Sequence, residues 1–330
     1  MAANISDVAR KANVSTATVS HVLNNTRVVK EETRNKVLKA IEELNYSPNI
    51  LAKSLKENKS NVVGLLIPDI SNYFFTEIAK SVEKTLQEKG FNLILCNTNE
   101  DPELEEAQIR HLQSMMVSGL IIASSDKERD YRQYFHDSAY PLVFIDRQVT
   151  KKQGDSVMVD SYSSVVNAIN LLVEKGHRKI GFIGGDPNLS TTSERLKGYK
   201  DSLLANNIPY DENIVGLAES KVENGYDICR NILAKGKKIT ALFIATSMMS
   251  IGAVQYLVES KVSIPDEIAL IAYDDYVWAL IANPPLTTIK QPTKEIGEKA
   301  ANLLVERIKK KDKAFSEEIL NAEIIIRSSI

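Results

Sequence analysis

The chain has 330 residues, 43% of them hydrophobic, enough for two to three domains with ordinary cores. No run of eighteen apolar residues is present, so a membrane-spanning protein is excluded, and the composition is neither collagen-like nor that of a disordered chain. The net charge of −2 is unevenly spread: ten Lys/Arg against six Asp/Glu over residues 1–60 give +4, and 31 against 37 over the rest give −6, so only the N-terminal part suits a polyanion.

The opening MAANISDVARKANVS lacks the apolar run of a signal peptide, and Cys96 and Cys229 lie within apolar strand and helix patterns. A cytoplasmic protein with buried free thiols, no disulfide and no metal site is expected. In ISDVARKA (5–12) the apolar residues 5, 8, 9 and 12 share one helical face, and Ser6 or Asp7 can cap its start. Asn13 tolerates left-handed geometry, and Ser15 opens a second helix, STATVSHVLNN, with Val19, Val22 and Leu23 turned inward. A third helix over 31–45 closes a three-helix core with Val37, Leu38, Ile41 and Leu44, Lys30 standing where a capping Ser would serve better. Pro48 stops this helix near Tyr46.

Two short helices around a three-residue turn match a helix-turn-helix. That geometry brings the N-terminal end of the second helix into the major groove, so Thr16, Ala17, Ser20 and His21 reach base edges, with Ser15, Thr18 and Asn24 joining the candidate DNA contacts. The stretch NYSPNILAKSLKENKS (45–60) then offers a short helix with Leu51, Ala52 and Leu55 on one face and Lys53 and Lys56 beside them. Eight residues do not hold a helix alone in water. Covered by DNA, the lysines suit phosphates and a projecting Leu suits a wedge between base steps; a plain interdomain linker is the alternative.

From residue 61 strands and helices alternate: strand 62–68, helix 73–89, strand 91–97, helix 103–116, strand 119–124, a shorter helix, strand 141–146. The pattern restarts at residue 161 with a helix to 175, then strand 179–185, helix 195–206, strand 214–219, helix, strand 241–245, helix and strand 267–273; residues 323–330 read as a final strand. This is an α/β chain with two doubly wound parallel sheets in two lobes, behind the helix-turn-helix unit. Ligands in such folds sit at the carboxyl ends of the strands, here the cleft between the lobes. Asp146 and Arg147 end one strand, Asp274 ends another, Asn72 to Phe75 follow the first, and Arg195 opens a helix. An ionised Asp accepts from two vicinal hydroxyls, Arg donates a rigid fork, and aromatic rings cover an apolar sugar face. Singly, an Asp at a strand end is also a turn former and an Arg also a surface ion pair.

VARKANVSTATVSHVLNNTRVVKEETRNKVLKAIEELNYSPNILAKSLK resembles the headpiece and hinge of the lactose/galactose repressor family of bacterial transcription factors, most closely its purine-repressor branch. PDISNYFF, IDRQ, GHRKIGFIGG, SERLKGY, IPDEIALIAYDD and PPLTTIKQP are similar to the family's effector domain and to periplasmic ribose-binding proteins, so the likeness spans nearly the whole chain. It implies base reading by Thr16, Ala17 and His21 and minor-groove insertion of Leu55 at a palindromic operator. It also implies a pocket of Asn72, Phe74, Phe75, Ser124, Asp146, Arg147, Arg195, Asp274 and Gln291, in which Asp146–Arg147 is a pentose-type pair.

Relatives carry Asn-Asp where this chain has Thr246-Ser247, and an aromatic where it has Ser220; Ala17 replaces a Thr. Losing a carboxylate while Arg147 and Arg195 stay makes the pocket more positive, so an anionic sugar, a sugar acid or sugar phosphate, is as much an expected effector as neutral ribose. The expected domains are 1–47 (helix-turn-helix), 48–60 (hinge), 61–160 with 291–318 (first lobe) and 161–290 with 319–330 (second lobe). The expected partners are operator DNA, a small carbohydrate and a second copy of the chain, with no membrane, no cofactor and no tetramerising tail.

An enzyme is not expected. The glycines of GFIGGD (181–186) miss the dinucleotide spacing, no nucleophile elbow occurs, and His21, His111, His136 and His177 are scattered. A protein corepressor and a sugar carrier are the other readings; the carrier leaves residues 1–57 without a role.

Overall fold

A computed structural model describes residues 3–24, 27–46, 60–137, 139–234 and 238–330. The chain divides into two compact units, residues 1–60 and 61–330. The expected hinge helix, with Leu51, Ala52, Lys53, Leu55 and Lys56, lies outside the described residues.

The first unit has three helices, α1 (Ile5–Ala12), α2 (Thr16–Asn24) and α3 (Glu31–Glu43). Their core is Val8, Ala9, Ala12, Val19, Val22, Val37 and Ala40. Asn4, rather than Ser6 or Asp7, caps α1: its side chain accepts from the Ser6 and Asp7 amides while the Asp7 carboxylate reaches back to the Asn4 amide. Asn13 ends α1 at φ 52°, the left-handed stop its side chain tolerates. Lys30 leaves α3 without a side-chain cap. Leu38 is exposed, contrary to expectation, because the inward stripe of α3 runs through 37, 40/41 and 44 and position 38 points about 100° away.

In the second unit the first sheet comprises β1 (Val62–Ile67), β2 (Asn92–Asn97), β3 (Leu120–Ile122), β4 (Leu142–Ile145), β5 (Asp155–Val159) and β11 (Glu317–Leu320), in the order β11-β5-β4-β3-β1-β2 and wholly parallel. The second comprises β6 (Ile180–Gly184), β7 (Val215–Leu217), β8 (Ala241–Ile244), β9 (Ala269–Tyr273), β10 (Thr287–Lys290) and β12 (Glu323–Ile325), in the order β12-β10-β9-β8-β6-β7, with only β12 antiparallel. The helices on the first sheet's side are α4 (Tyr73–Glu88), α5 (Pro102–Ser114) and α11 (Thr293–Lys309). Those on the second are α6 (Ser161–Glu174), α7 (Ser190–Ala205), α8 (Val222–Ala234), α9 (Ser247–Glu259) and the short α10 (Val277–Ile281).

Strands β5, β10 and β11 are absent from the sequence reading, the shorter helix before β4 is a 3-10 turn (Tyr131–Tyr134), and the final strand stops at Ile325. The expected lobe boundary between residues 318 and 319 falls inside β11, all of which pairs with β5. Helices α8 and α9 touch backbone to backbone: a Cβ on Gly252 would stand 1.8 Å from the Val222 carbonyl oxygen, which is why glycine is needed there. This close seat fixes α9, whose first turn enters the site.

Candidate functional site

In the first unit, the Ser15 hydroxyl accepts from the Thr18 amide (3.1 Å) and pairs with the Thr18 hydroxyl (2.9 Å), so these two candidates cap α2. Thr16 and Ala17 are exposed on the same first turn, and Ser20 and His21 are half-buried one turn on. The side chain of Asn24 lies outside the described residues.

In the second unit, polar groups from both sheets meet at the strands' carboxyl ends. Asp146 directly follows β4 and Asp274 directly follows β9, at φ 64° and 71°. Arg147 is 5% exposed; its two terminal nitrogens each meet one Glu100 oxygen at 2.6 Å, and Nη1 also donates to the Ser124 carbonyl at 3.1 Å. Its Nε lies 3.6 Å from an Asp146 oxygen and its guanidinium 5.9 Å from the centre of the Phe75 ring. Arg195, in the second turn of α7 rather than at its start, sits over the Tyr273 ring with its guanidinium carbon 3.6 Å from the ring centre and donates to the Ala245 carbonyl at 2.7 Å. The Gln291 amide donates to Asp274 at 2.7 Å. Asn72 caps α4 through the Phe74 amide, and the same oxygen accepts from Tyr276 (3.3 Å) and Ser247 (3.5 Å), both from the second sheet's side. The Gln148 amide likewise donates across to Ser190.

Burial holds the Asp146 carboxyl above the ordinary carboxylate range, opposed by Arg147 and Arg195 and reinforced by Asp274 and Glu100. Burial also raises Asp274, against the pull of Arg195 and the Gln291 bond. Burial works against the Arg147 charge too, but pairing with Glu100 outweighs it and the pKa lies above the usual guanidinium value. Burial, with Asp274 beside it, pushes the Tyr276 hydroxyl up, so it is a neutral donor. Three buried hydrogen-bonding atoms in the site, Arg147 Nε, Thr246 Oγ1 and Gln291 Oε1, have no hydrogen-bond partner among the described residues.

Asp146, Arg147, Arg195, Asp274, Gln291 and Asn72 are thus brought together, with Phe75 beneath Arg147 and Thr246 at the head of α9. Phe74 is packed into the first sheet's core. Ser124 does not present its hydroxyl: that group is taken by Tyr131 (2.5 Å) and the Asp126 carbonyl (2.8 Å), and only its backbone serves the site, through Arg147. Glu100 and Tyr276 were missed. Both lie three residues past a strand end, in NTNED and AYDDY, in the region the carboxyl-end rule marks, but that rule does not single out either residue. With Glu100 counted, two guanidiniums, Arg147 and Arg195, face three carboxylates, Glu100, Asp146 and Asp274.

Among the described residues no helix is long and apolar enough to cross a membrane, and no His/Cys/Asp/Glu group is arranged for a metal. Residues 4–49 match the family described as bacterial regulatory proteins, lacI family, and residues 60–327 match periplasmic binding proteins and sugar binding domain of LacI family. The chain is 38% identical to the HTH-type transcriptional regulator RegA of Clostridium acetobutylicum over 100% of this chain and 99% of that protein. It is 36% identical to the HTH-type transcriptional repressor PurR of Vibrio atlanticus over 99% of this chain and 98% of that one. The solved structure of a complex of the transcriptional regulator CelR with cellobiose is similar at TM-score 0.76 and 28% identity, over 99% of this chain and 100% of that one. The chain belongs to the LacI family, as a DNA-binding transcriptional repressor whose second unit is a sugar-binding effector domain of the periplasmic-binding-protein type.

Proposed function

We propose that this repressor binds a palindromic operator as a homodimer and that a small carbohydrate, held between Asp146, Arg147, Arg195, Asp274, Asn72 and Gln291, controls that binding. The observation that carries the effector reading is the meeting of two acceptor carboxylates and two donor guanidiniums over aromatic rings at the strand ends, a set matched to vicinal hydroxyls. The cellobiose bound by CelR supports the same class of ligand. The effector lobes are assigned to 61–160 with 291–320 and 161–290 with 321–330, residues 1–47 to DNA reading and 48–60 to a hinge. Thr16, Ala17, Ser20 and His21 are the base readers, with Leu55 as a wedge and Lys53 and Lys56 on phosphates.

Dimerisation is supported by a surface of exposed apolar side chains: Val277, Leu280 and Ile281 of α10 beside Ile70 and Tyr73, the two segments joined where Tyr73 meets Tyr276 edge-on at 5.1 Å. A test is to select operators from a random duplex pool with the full chain, then follow operator anisotropy while sugars are added. A palindromic consensus and a sugar-dependent affinity change of about 5- to 150-fold are expected. A consensus lacking two-fold symmetry would sink the dimer reading, and indifference to every sugar would replace the carbohydrate with a protein corepressor.

A further inference from the structure

Glu100 lies outside every functional assignment made from the sequence, yet it takes both terminal nitrogens of Arg147 at 2.6 Å each. This fork-on-fork geometry is the one a ligand carboxylate or phosphate would adopt on the same guanidinium. Glu100 reaches it from the wet side, its side chain 44% exposed while that of Arg147 is 6% exposed. The turn delivering it is fixed: Asn99 and Glu100 are consecutive left-handed residues at φ 53° and 59°. The Asn97 side chain donates to Asn99 (2.6 Å), the Thr98 amide to the Ile67 carbonyl and the Asp101 amide to the Thr98 carbonyl (both 2.9 Å). Two adjacent non-glycine residues in that region are sparsely populated, so the turn is held by its bonds to the sheet edge.

We propose that Glu100 is the specificity-determining residue of the effector cleft, an internal carboxylate that saturates Arg147 and makes the site accept neutral sugars and reject sugar acids and sugar phosphates. The proposal rests on the carbohydrate reading above and narrows it. An anionic ligand seeking Arg147 must displace Glu100 and then sit beside it, with Asp146 and Asp274 already adding negative charge. A neutral polyol needs no displacement: it donates to Asp146 and Asp274 and leaves the Arg147–Glu100 pair standing.

The experiment is calorimetric titration of the full chain and its Glu100→Ala and Glu100→Gln variants with D-ribose, D-glucose and cellobiose, each set against D-ribonate, D-gluconate and D-ribose 5-phosphate. The wild type is expected to bind a neutral sugar and to take its anionic counterpart at least about tenfold more weakly. Freeing Arg147 should shift that ratio toward the anion by about 10- to 100-fold, the range of a hydrogen bond to a charged group. Glu100→Gln keeps the side-chain volume and carries the same test should melting curves show the alanine variant poorly folded. A wild type that prefers the acid, or a ratio unchanged in both variants, overturns the role of Glu100 while leaving the carbohydrate reading intact. Failure of the wild type and both variants to bind any of the six compounds overturns that reading and this proposal with it.

Discussion

Replacing Arg195 by Met tests the electrostatics of the cleft. Arg195 is 7% exposed, with its guanidinium over the Tyr273 ring and bonded to the Ala245 carbonyl, and it pulls down the pKa of both Asp146 and Asp274. Removing one partner from a buried set of charges costs ~3–5 kcal/mol at neutral pH, because the others stay buried and uncompensated. The loss should depend on pH. Both carboxyls titrate above their ordinary value, so over that window the folded protein holds more protons than the unfolded chain. Their contribution to stability is full below the unfolded pKa and is lost as pH rises through the folded one. Without Arg195 that upper limit moves further toward neutrality, each added unit per carboxyl being ~1.4 kcal/mol. Urea unfolding followed through Trp278, the single tryptophan, should show Arg195→Met closest to the wild type at the acid end of the range and furthest from it at neutral pH. A deficit of equal size at every pH would refute the carboxylate account and leave only lost packing.

Arg307 donates to both oxygens of Asp155 at 2.8 and 2.7 Å and to three carbonyls of the turn before β11, with both side chains 2% exposed; Arg307→Met should cost ~3–5 kcal/mol by calorimetry, against under ~1 kcal/mol for Lys294→Ala at an exposed pair. Burial pushes the Cys229 thiol up to about 12 and raises Cys96, so a disulfide thiol reagent at pH 8 should titrate two thiols in guanidinium and none within minutes in the native protein; one fast native equivalent would contradict the burial. In the headpiece, Ser15→Ala should lower stability by ~1 kcal/mol through the lost cap. Thr16→Ala should leave stability unchanged and relax operator preference at one position by ~1–3 kcal/mol; the reverse assignment, seen in paired melting and anisotropy measurements, would show that Thr16 rather than Ser15 is structural.

The βαβ rhythm was legible because strands covered on both faces must be apolar throughout, as in VVGLLI and ALIAY. Strand β5 was not, since it opens with Asp155, whose charge breaks the run and whose bonded partner is Arg307, 152 positions away. Strand β11 was not, because as an edge strand it carries Glu317 toward water and a half-buried Glu318 paired with Lys299. Asp146, Arg147 and Asp274 could be read from position alone, as strand-end residues. Glu100 could not, because its importance lies in an ion pair with a residue 47 positions on, and ion pairs between loops leave no periodic trace. The direction of the Ser124 hydroxyl was equally hidden, being set by Tyr131 from a 3-10 turn of no clear pattern.

The two lobes build their acceptor carboxylates in the same way. In each, the amide of the Asp makes the last bond to the neighbouring strand, Asp146 to Val157 at 3.2 Å and Asp274 to Ile289 at 2.8 Å, and the chain then turns left-handed at that residue. The turn ends the strand and stands the side chain over its carboxyl end, in the cleft rather than on a sheet face. Asp enters this region more readily than most residues, because its short side chain bonds locally, and Asn does so equally. Asn at either position would keep the backbone and remove a carboxylate that burial disfavours, so on stability alone it is the better residue at neutral pH. What Asn lacks is an ionised pair of acceptors that can take two hydroxyls and offset Arg195. On the carbohydrate reading proposed above, the stability given up at residues 146 and 274 goes to recognition, which is where strained backbone and buried charge are tolerated together.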